Sequence, residues 1–285
     1  MRWRDGRRSE NVEETRGSPA RTGLKLVLCA VVAMAAAWFL GVDPRILLGL
    51  ADAPVEPGAP VGPAAVPTTA PRAEIGDFIS VVLADTEDTW TQIFAEEGET
   101  YIPPRLRYFE GSTRSGCAAK AAESGPFYCA ADRRVYIDLN FYRELADRFH
   151  VPGDFAQAYV IAHEVGHHVQ NLMGIEVKLR RAQAGKNAMM RNALQLRLEL
   201  QADCFAGIWA HNAERNRHIL DPQTLPQALS AAASVGADMI QRLAQDEIVP
   251  DSFTHGTAAQ RQRWFESGFK RGLVKDCETY SARKL

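Results

Sequence analysis

Residues 159–172 read YVIAHEVGHHVQNL, and the period of their apolar positions decides how the chain is organised around them. Ala158, Ala162, Val165, Val169 and Leu172 recur at spacings of 4, 3, 4 and 3, which is one face of a helix. Ala156 and Val160 add a second apolar side, so the helix is predicted to be buried over most of its circumference. Asp154, after Pro152-Gly153 and with Gln157 three residues on, marks the start, and Gly174 marks the end. Inside this helix His163, Glu164 and His167 form H-E-x-x-H. Positions i and i+4 lie one turn apart on one face, so both imidazoles can reach one ion, with Glu164 at the edge of that face. Burial of these three groups is costly unless something satisfies them, and a divalent metal does so directly. The bland alternative is a pair of core histidines bonded to backbone carbonyls. His168 points away from the pair and reads as a surface residue or a support.

A catalytic zinc site needs a third protein ligand and an open position for water. Residues 188–212, AMMRNALQLRLELQADCFAGIWAHN, are helical by period, with Leu194, Leu198, Phe205 and Trp209 along one side. Glu199 and Asp203 sit at i and i+4 on another face, beside Ala202 and Ala206, whose small size permits close helix approach. We read Glu199 as the third ligand and Asp203 as the acceptor that fixes the second nitrogen of a ligand histidine. A one-turn slip would exchange these two roles. His211 and His218 stand in a polar setting typical of a solvated helix end. Zn²⁺ held by His163, His167 and Glu199 would acidify a bound water, with Glu164 as general base. His255, in the polar stretch DSFTHGTAAQRQRWF, is the candidate for stabilising the oxyanion, although a lone histidine is more often structural. Tyr136 and Tyr159 are weaker candidates for that role. Val135–Leu139 (VYIDL) reads as a strand that is either plain core or an edge onto which an extended peptide adds.

The chain has 285 residues, 33 basic against 35 acidic side chains and a formal net charge of -2. This composition is that of an ordinary globular protein, and it argues against capture of nucleic acid, which needs a concentrated basic face. Leu24–Leu40, LKLVLCAVVAMAAAWFL, is apolar apart from Lys25 and just long enough to cross a bilayer. Six arginines precede it and one follows within thirty residues, which predicts a cytoplasmic N-terminus and an exported remainder. A cleaved signal peptide, a lipoprotein built on Cys29 and a buried soluble helix are the competing readings. Six prolines between Ala51 and Pro71 mark a spacer. The expected organisation is therefore a tail over 1–23, a membrane helix over 24–40, a linker over 41–71 and one predominantly helical α+β domain over 72–285. Cys117 with Cys129 and Cys204 with Cys277 are the expected disulfides, in keeping with an exported domain; the second pair could instead be two buried thiols. Residues 75–100 read as an amphipathic helix that covers the cleft or packs beside it.

The stretches MRWRDGRRSENVE, GPFYCAADRRVYIDLNF, AHEVGHHVQ, RLELQADCFAGIWA and FTHGTAAQRQRWFESG resemble the YpfJ-type neutral zinc metallopeptidases of bacteria, which are membrane-anchored. The resemblance covers most of the chain but not the linker. A more distant similarity joins it to HtpX-like and CAAX-type zinc proteases, which pair H-E-x-x-H with E-x-x-A-D, as Glu199, Ala202 and Asp203 stand here. Those proteases also carry a later His with an Arg six residues on, as His255 and Arg261 do, but favour Pro where this chain has Gly256. These resemblances imply a zincin-like fold, Zn²⁺ and peptidase activity on polypeptide, and name no substrate. Two readings from other classes remain: a zinc-containing binding module of the envelope, and an amidase acting on a non-peptide amide.

Overall fold

The computed structural model describes residues 1–15, 72–117, 125–147, 153–220, 229–230, 232–233 and 256–285. The apolar stretch Leu24–Leu40, the linker and His255 lie outside the described residues. Among those described, no helix is long and apolar enough to cross a membrane.

The architecture is α+β and mostly helical. Its elements are β1 (Val12–Glu14), α1 (Arg72–Glu96), β2 (Arg105–Phe109), β3 (Phe127–Cys129), β4 (Arg134–Asp138), α2 (Leu139–Asp147), α3 (Asp154–Leu172), α4 (Ile175–Gln183), α5 (Ala188–Arg217) and α6 (Ala258–Arg271). A short 3₁₀ turn, Val274–Cys277, follows. The sheet runs β1-β2-β4-β3, with β1–β2 and β2–β4 parallel and β3–β4 antiparallel. Strand β4 is buried on both faces, as inner parallel strands usually are, whereas β1 at the edge is only half-buried. Leu106, Val135 and Ile137 join the main core, while Phe109, Cys129 and Tyr136 form a second cluster, with Phe127 stacked on Tyr136 at 4.6 Å. The strand VYIDL is therefore an inner strand, bonded on both sides, and offers no edge to a peptide. Among the described residues, β3 and β1 are the outer strands of the sheet, and β3 is the one next to the helix that carries the histidines.

Helix α5 is the axis of the helical layer. A helix of its 30 residues is about 45 Å long, and it is buried without a break from Leu198 to Ala210. Helix α3 crosses it at a point where Gly166 faces Ala202: a Cβ on Gly166 would sit 3.0 Å from the Ala202 carbonyl oxygen. Helix α6 lies on its other side, and a Cβ at Gly207 or Gly268 would collide with Phe265 or Cys204 backbone respectively. Cys204 is disulfide-bonded to Cys277, tying the C-terminal turn to α5, and Cys117 is bonded to Cys129. Helix α1 belongs to the core, with Ile79, Val82, Leu83 and Thr86 fully buried, and it does not line the cleft described below.

The N-terminus departs from the expected tail. Residues Met1–Thr15 form one compact unit with Pro71–Leu285. Strand β1 adds to β2 in the register Val12 to Leu106, Trp3 is 5% exposed and packs edge-on against Phe78, and the Trp3 Nε1 donates to Asp154 Oδ2 at 2.9 Å. Asp154 thus meets Trp3 instead of capping its own helix, whose N-cap is Gly153. The arginines of this segment have folded-state partners: Arg7 with Glu87 and Asp88, Arg8 with Asp77, Arg4 with Glu74. Replacing Trp3 with Ala should lower stability by about 3–5 kcal/mol, the usual cost of deleting a buried aromatic. A loss of unfolding free energy below about 1 kcal/mol in urea titration would mean that the segment is a loosely held appendage.

Candidate metal centre

Three donor atoms converge where α3 crosses α5. One atom each from His163, His167 and Glu199 lies within 4.8 Å of the others. Glu199 Oε2 is 3.5 Å from His163 Nε2 and 3.7 Å from His167 Nε2. Ligands on tetrahedral zinc, at about 2.0–2.2 Å, are about 3.4 Å apart, so the spacing suits that ion. Gly166 eases this approach of α3 to α5, since a Cβ there would press on the Ala202 carbonyl oxygen at 3.0 Å.

The second nitrogen of each ring is fixed. His163 Nδ1 lies 2.9 Å from Asp203 Oδ1, and His167 Nδ1 lies 2.9 Å from Gln170 Oε1. A carbonyl or carboxylate acceptor there holds the proton on Nδ1 and leaves the Nε2 lone pair free for a cation. Gln170 is itself clamped, donating through Nε2 to the Leu198 carbonyl at 2.7 Å and to Gln201 Oε1 at 3.1 Å. Asp203 takes a forked hydrogen bond from Arg261, Nε to Oδ2 at 2.9 Å and Nη2 to Oδ1 at 2.8 Å, and a further one from Tyr159 Oη at 2.5 Å. Burial alone would raise the pKa of Asp203, but Arg261 and His163 outweigh it and hold the carboxyl below its ordinary range.

The pocket favours positive charge. Burial disfavours a charged His167, yet facing Glu199 raises its pKa to about 10 in the absence of a metal. Burial likewise opposes a charged His163, but Asp203 reverses the direction and raises its pKa. A divalent cation satisfies the same field. Glu164 is buried, its Oε2 has no hydrogen-bond partner among the described residues, and its pKa is raised, first by burial and also by Glu199. This orphaned oxygen beside two imidazoles and a carboxylate fits a metal site with a water to be managed.

These groups line a cleft of about 500 Å³. Tyr128 and Phe127 on β3, Phe141 on α2, Val160 on α3, Leu179 on α4 and Leu198 on α5 form its apolar wall.

Of the residues singled out by sequence, the structure brings together His163, Glu164, His167, Glu199 and Asp203, with Glu199 facing the histidines and Asp203 behind one of them. His168 is fully buried, which removes the surface alternative of the two offered for it. Its Nε2 donates to the Ile102 carbonyl at 2.7 Å and its Nδ1 accepts from Tyr128 Oη at 3.1 Å. Tyr159 is committed to Asp203 and Tyr136 to Asp132, so neither hydroxyl is free to serve as an oxyanion donor. His211 bonds the Phe269 carbonyl and His218 caps α5, both away from the centre. Gln170 was not singled out, although it stands three residues after His167, the spacing that returns a side chain to the same face.

The fold and this centre define a candidate metal site in which the two histidines of a helix-borne H-E-x-x-H sequence meet a glutamate from a second helix. The chain belongs to the family described as "Putative neutral zinc metallopeptidase", whose model matches residues 1–280. It is 44% identical over 292 aligned positions to "Uncharacterized protein YpfJ" of Escherichia coli (strain K12), covering 98% of this chain and 99% of that one. It is 42% identical over 195 positions to "Uncharacterized protein Rv2575" of Mycobacterium tuberculosis (strain ATCC 25618 / H37Rv), 65% of each chain. No solved structure matches it.

Replacing Glu199 with Ala should abolish tight zinc binding, whereas Asp203→Asn should weaken it about 10–100-fold, as read by competition with a chromogenic chelator. The reverse order would exchange the two roles. His168 makes a separate pH prediction. Burial lowers its pKa to about 4 from an ordinary 6.5, so the unfolded chain takes up a proton that the folded chain refuses. The stability it supports is complete above about pH 6.5 and is lost as pH falls toward about 4. His168→Asn should flatten that part of the profile; an unchanged acid limb would remove His168 from it.

Proposed function

We propose that the chain is a gluzincin-like zinc endopeptidase that cleaves extended polypeptide. The observation that carries this reading is Glu164, a buried carboxylate with an oxygen unpartnered among the described residues, next to the three-donor cluster. Zinc held by His163, His167 and Glu199 would supply a Lewis acid and a water acidified to a pKa of about 7. Glu164 takes the proton of the attacking water and returns it to the leaving amine; its raised pKa suits both transfers. Asp203, Arg261 and Gln170 hold the two rings in the required tautomer while this happens. A structural zinc site is closed by four protein ligands; among the described residues three converge here, which favours hydrolysis over a binding module. The apolar wall and the size of the cleft suit more than one side chain of a polypeptide. His255 remains our candidate for the oxyanion.

Glu164→Gln should retain one zinc per chain while losing at least 100-fold in cleavage of unfolded casein by the full-length protein. Equal cleavage by the variant would remove Glu164 as the base. Zinc in both proteins with cleavage by neither would move the reading to the binding module or to an amidase.

We place the enzyme outside the cytoplasm, a reading supported by the two disulfides, and attached to the membrane through Leu24–Leu40. The sequence reading set the N-terminus on the opposite face from residues 72–285. The hydrogen bonds of β1 to β2 support a different arrangement, with Met1–Thr15 and the metallopeptidase domain on one side. Cysteines introduced at the exposed positions Glu10 and Lys270 should then react with an impermeant maleimide from the same face of sealed vesicles. Reaction from opposite faces would restore the single-pass arrangement.

A further inference from the structure

The chain has nearly balanced charge, but its basic groups are not evenly spread. Between Gly174 and Arg191 stand Lys178, Arg180, Arg181, Lys186 and Arg191, with Glu176 as the single acidic residue. All five basic side chains are exposed. The same corner carries most of the large apolar side chains that face water. Six such residues are exposed among those described, and four lie here: Met173 at 41%, Val177 at 39%, Met189 at 60% and Met190 at 52%. Exposed apolar groups clustered in one short segment mark a contact surface.

The helix period separates two faces of α4. Glu176, Arg180 and Gln183, at spacings of 4 and 3, line the cleft together with Leu179. Val177 and Arg181, one position further round, face away from it. Asn187 caps α5 by accepting from the Met190 backbone N–H at 2.9 Å, which holds Met189 and Met190 at the tip of a well-formed first turn.

We propose that the α4–α5 corner docks on an anionic lipid surface, so that the metal cleft opens beside the bilayer. Charge and apolarity argue for this occupant together. Five cations in eighteen residues complement the negative potential of an anionic leaflet. Flexible methionines and a valine on the same segment match the headgroup boundary, where apolar side chains sink while lysine and arginine stems reach back to the phosphates. A nucleic-acid surface would leave the four apolar side chains without a partner. Docking here is independent of the peptidase reading, since it uses none of the metal-site residues.

The test uses the full-length chain with Cys29→Ser, so that the four remaining cysteines are all in disulfides. An environment-sensitive fluorophore is placed at Met190→Cys, or as a control at Lys270→Cys. The control lies near His211, about 30 Å along α5 from the corner. The expected result is a blue shift at position 190 with vesicles containing phosphatidylglycerol, absent with phosphatidylcholine alone and absent at position 270. Raising salt from 0.1 to 1 M, which shortens the screening length from about 10 to about 3 Å, should reverse it. Arg181→Gln and Lys186→Gln should each raise the half-saturating lipid concentration about fivefold. No shift at position 190, or equal shifts at both positions, overturns the proposal. So does the same shift with polyglutamate in place of lipid, which would assign the corner to an acidic polypeptide.

Discussion

The carboxylate of Asp203 is the point on which the metal centre depends. It sits on α5, takes both arms of Arg261 from α6, and accepts from Tyr159 and from His163 on α3. Three helices are joined there by charge-assisted hydrogen bonds in a fully buried setting. Such a network is stable only when every member is satisfied, because a buried carboxylate without partners costs several kcal/mol. Removing any member would leave another uncompensated. The position of His163 is thereby coupled to the position of α6, although no residue of α6 faces the three donors as a ligand.

Backbone contact sets the rest of the geometry. Gly166, Gly207 and Gly268 lie at the two crossings of α5, where side chains would collide with neighbouring backbone. Close crossings bring Glu199 toward the histidines and Arg261 toward Asp203. The disulfide from Cys204 holds the C-terminal turn against the same stretch of α5, and the Cys277 carbonyl accepts from Gln201, the residue that helps to orient Gln170. Histidine tautomer, helix spacing and the covalent link are therefore parts of one arrangement.

The N-terminal segment shows how one set of charges can be read in two ways. Arginines before an apolar stretch are the usual signal for a cytoplasmic N-terminus. Here Arg4, Arg7 and Arg8 are matched by acidic residues on α1, and Glu13 on β1 pairs with Arg105, Arg107 and Arg134 from neighbouring strands. Exposed pairs of this kind contribute little singly, but Trp3 and the β1–β2 ladder add burial and backbone bonds. The segment is built to fold with a domain that begins more than fifty residues later.

Local pattern made the H-E-x-x-H helix, the helix with Glu199 and Asp203, and the short-range pair Cys117–Cys129 legible from sequence, because each is a matter of spacing along one stretch of chain; Cys204 with Cys277 stayed open against two buried thiols, because it joins elements 73 residues apart. That Glu199 and Asp203 share one helix face was legible too, since one turn separates them, but the pattern left open which of the two faces the histidines. Contacts between elements distant in sequence were not legible. Nothing in the local pattern shows that Trp3 reaches Asp154, that His168 is enclosed by Ile102 and Tyr128, that VYIDL has neighbours on both sides, or that Gln170 orients His167 because α5 clamps its amide. The chain by itself determined which groups could hold a metal, because side-chain chemistry and helical period are local. Only the tertiary structure decided which tautomers they adopt, which strands lie outermost in the sheet and which segments share the core, because those depend on where separate elements meet.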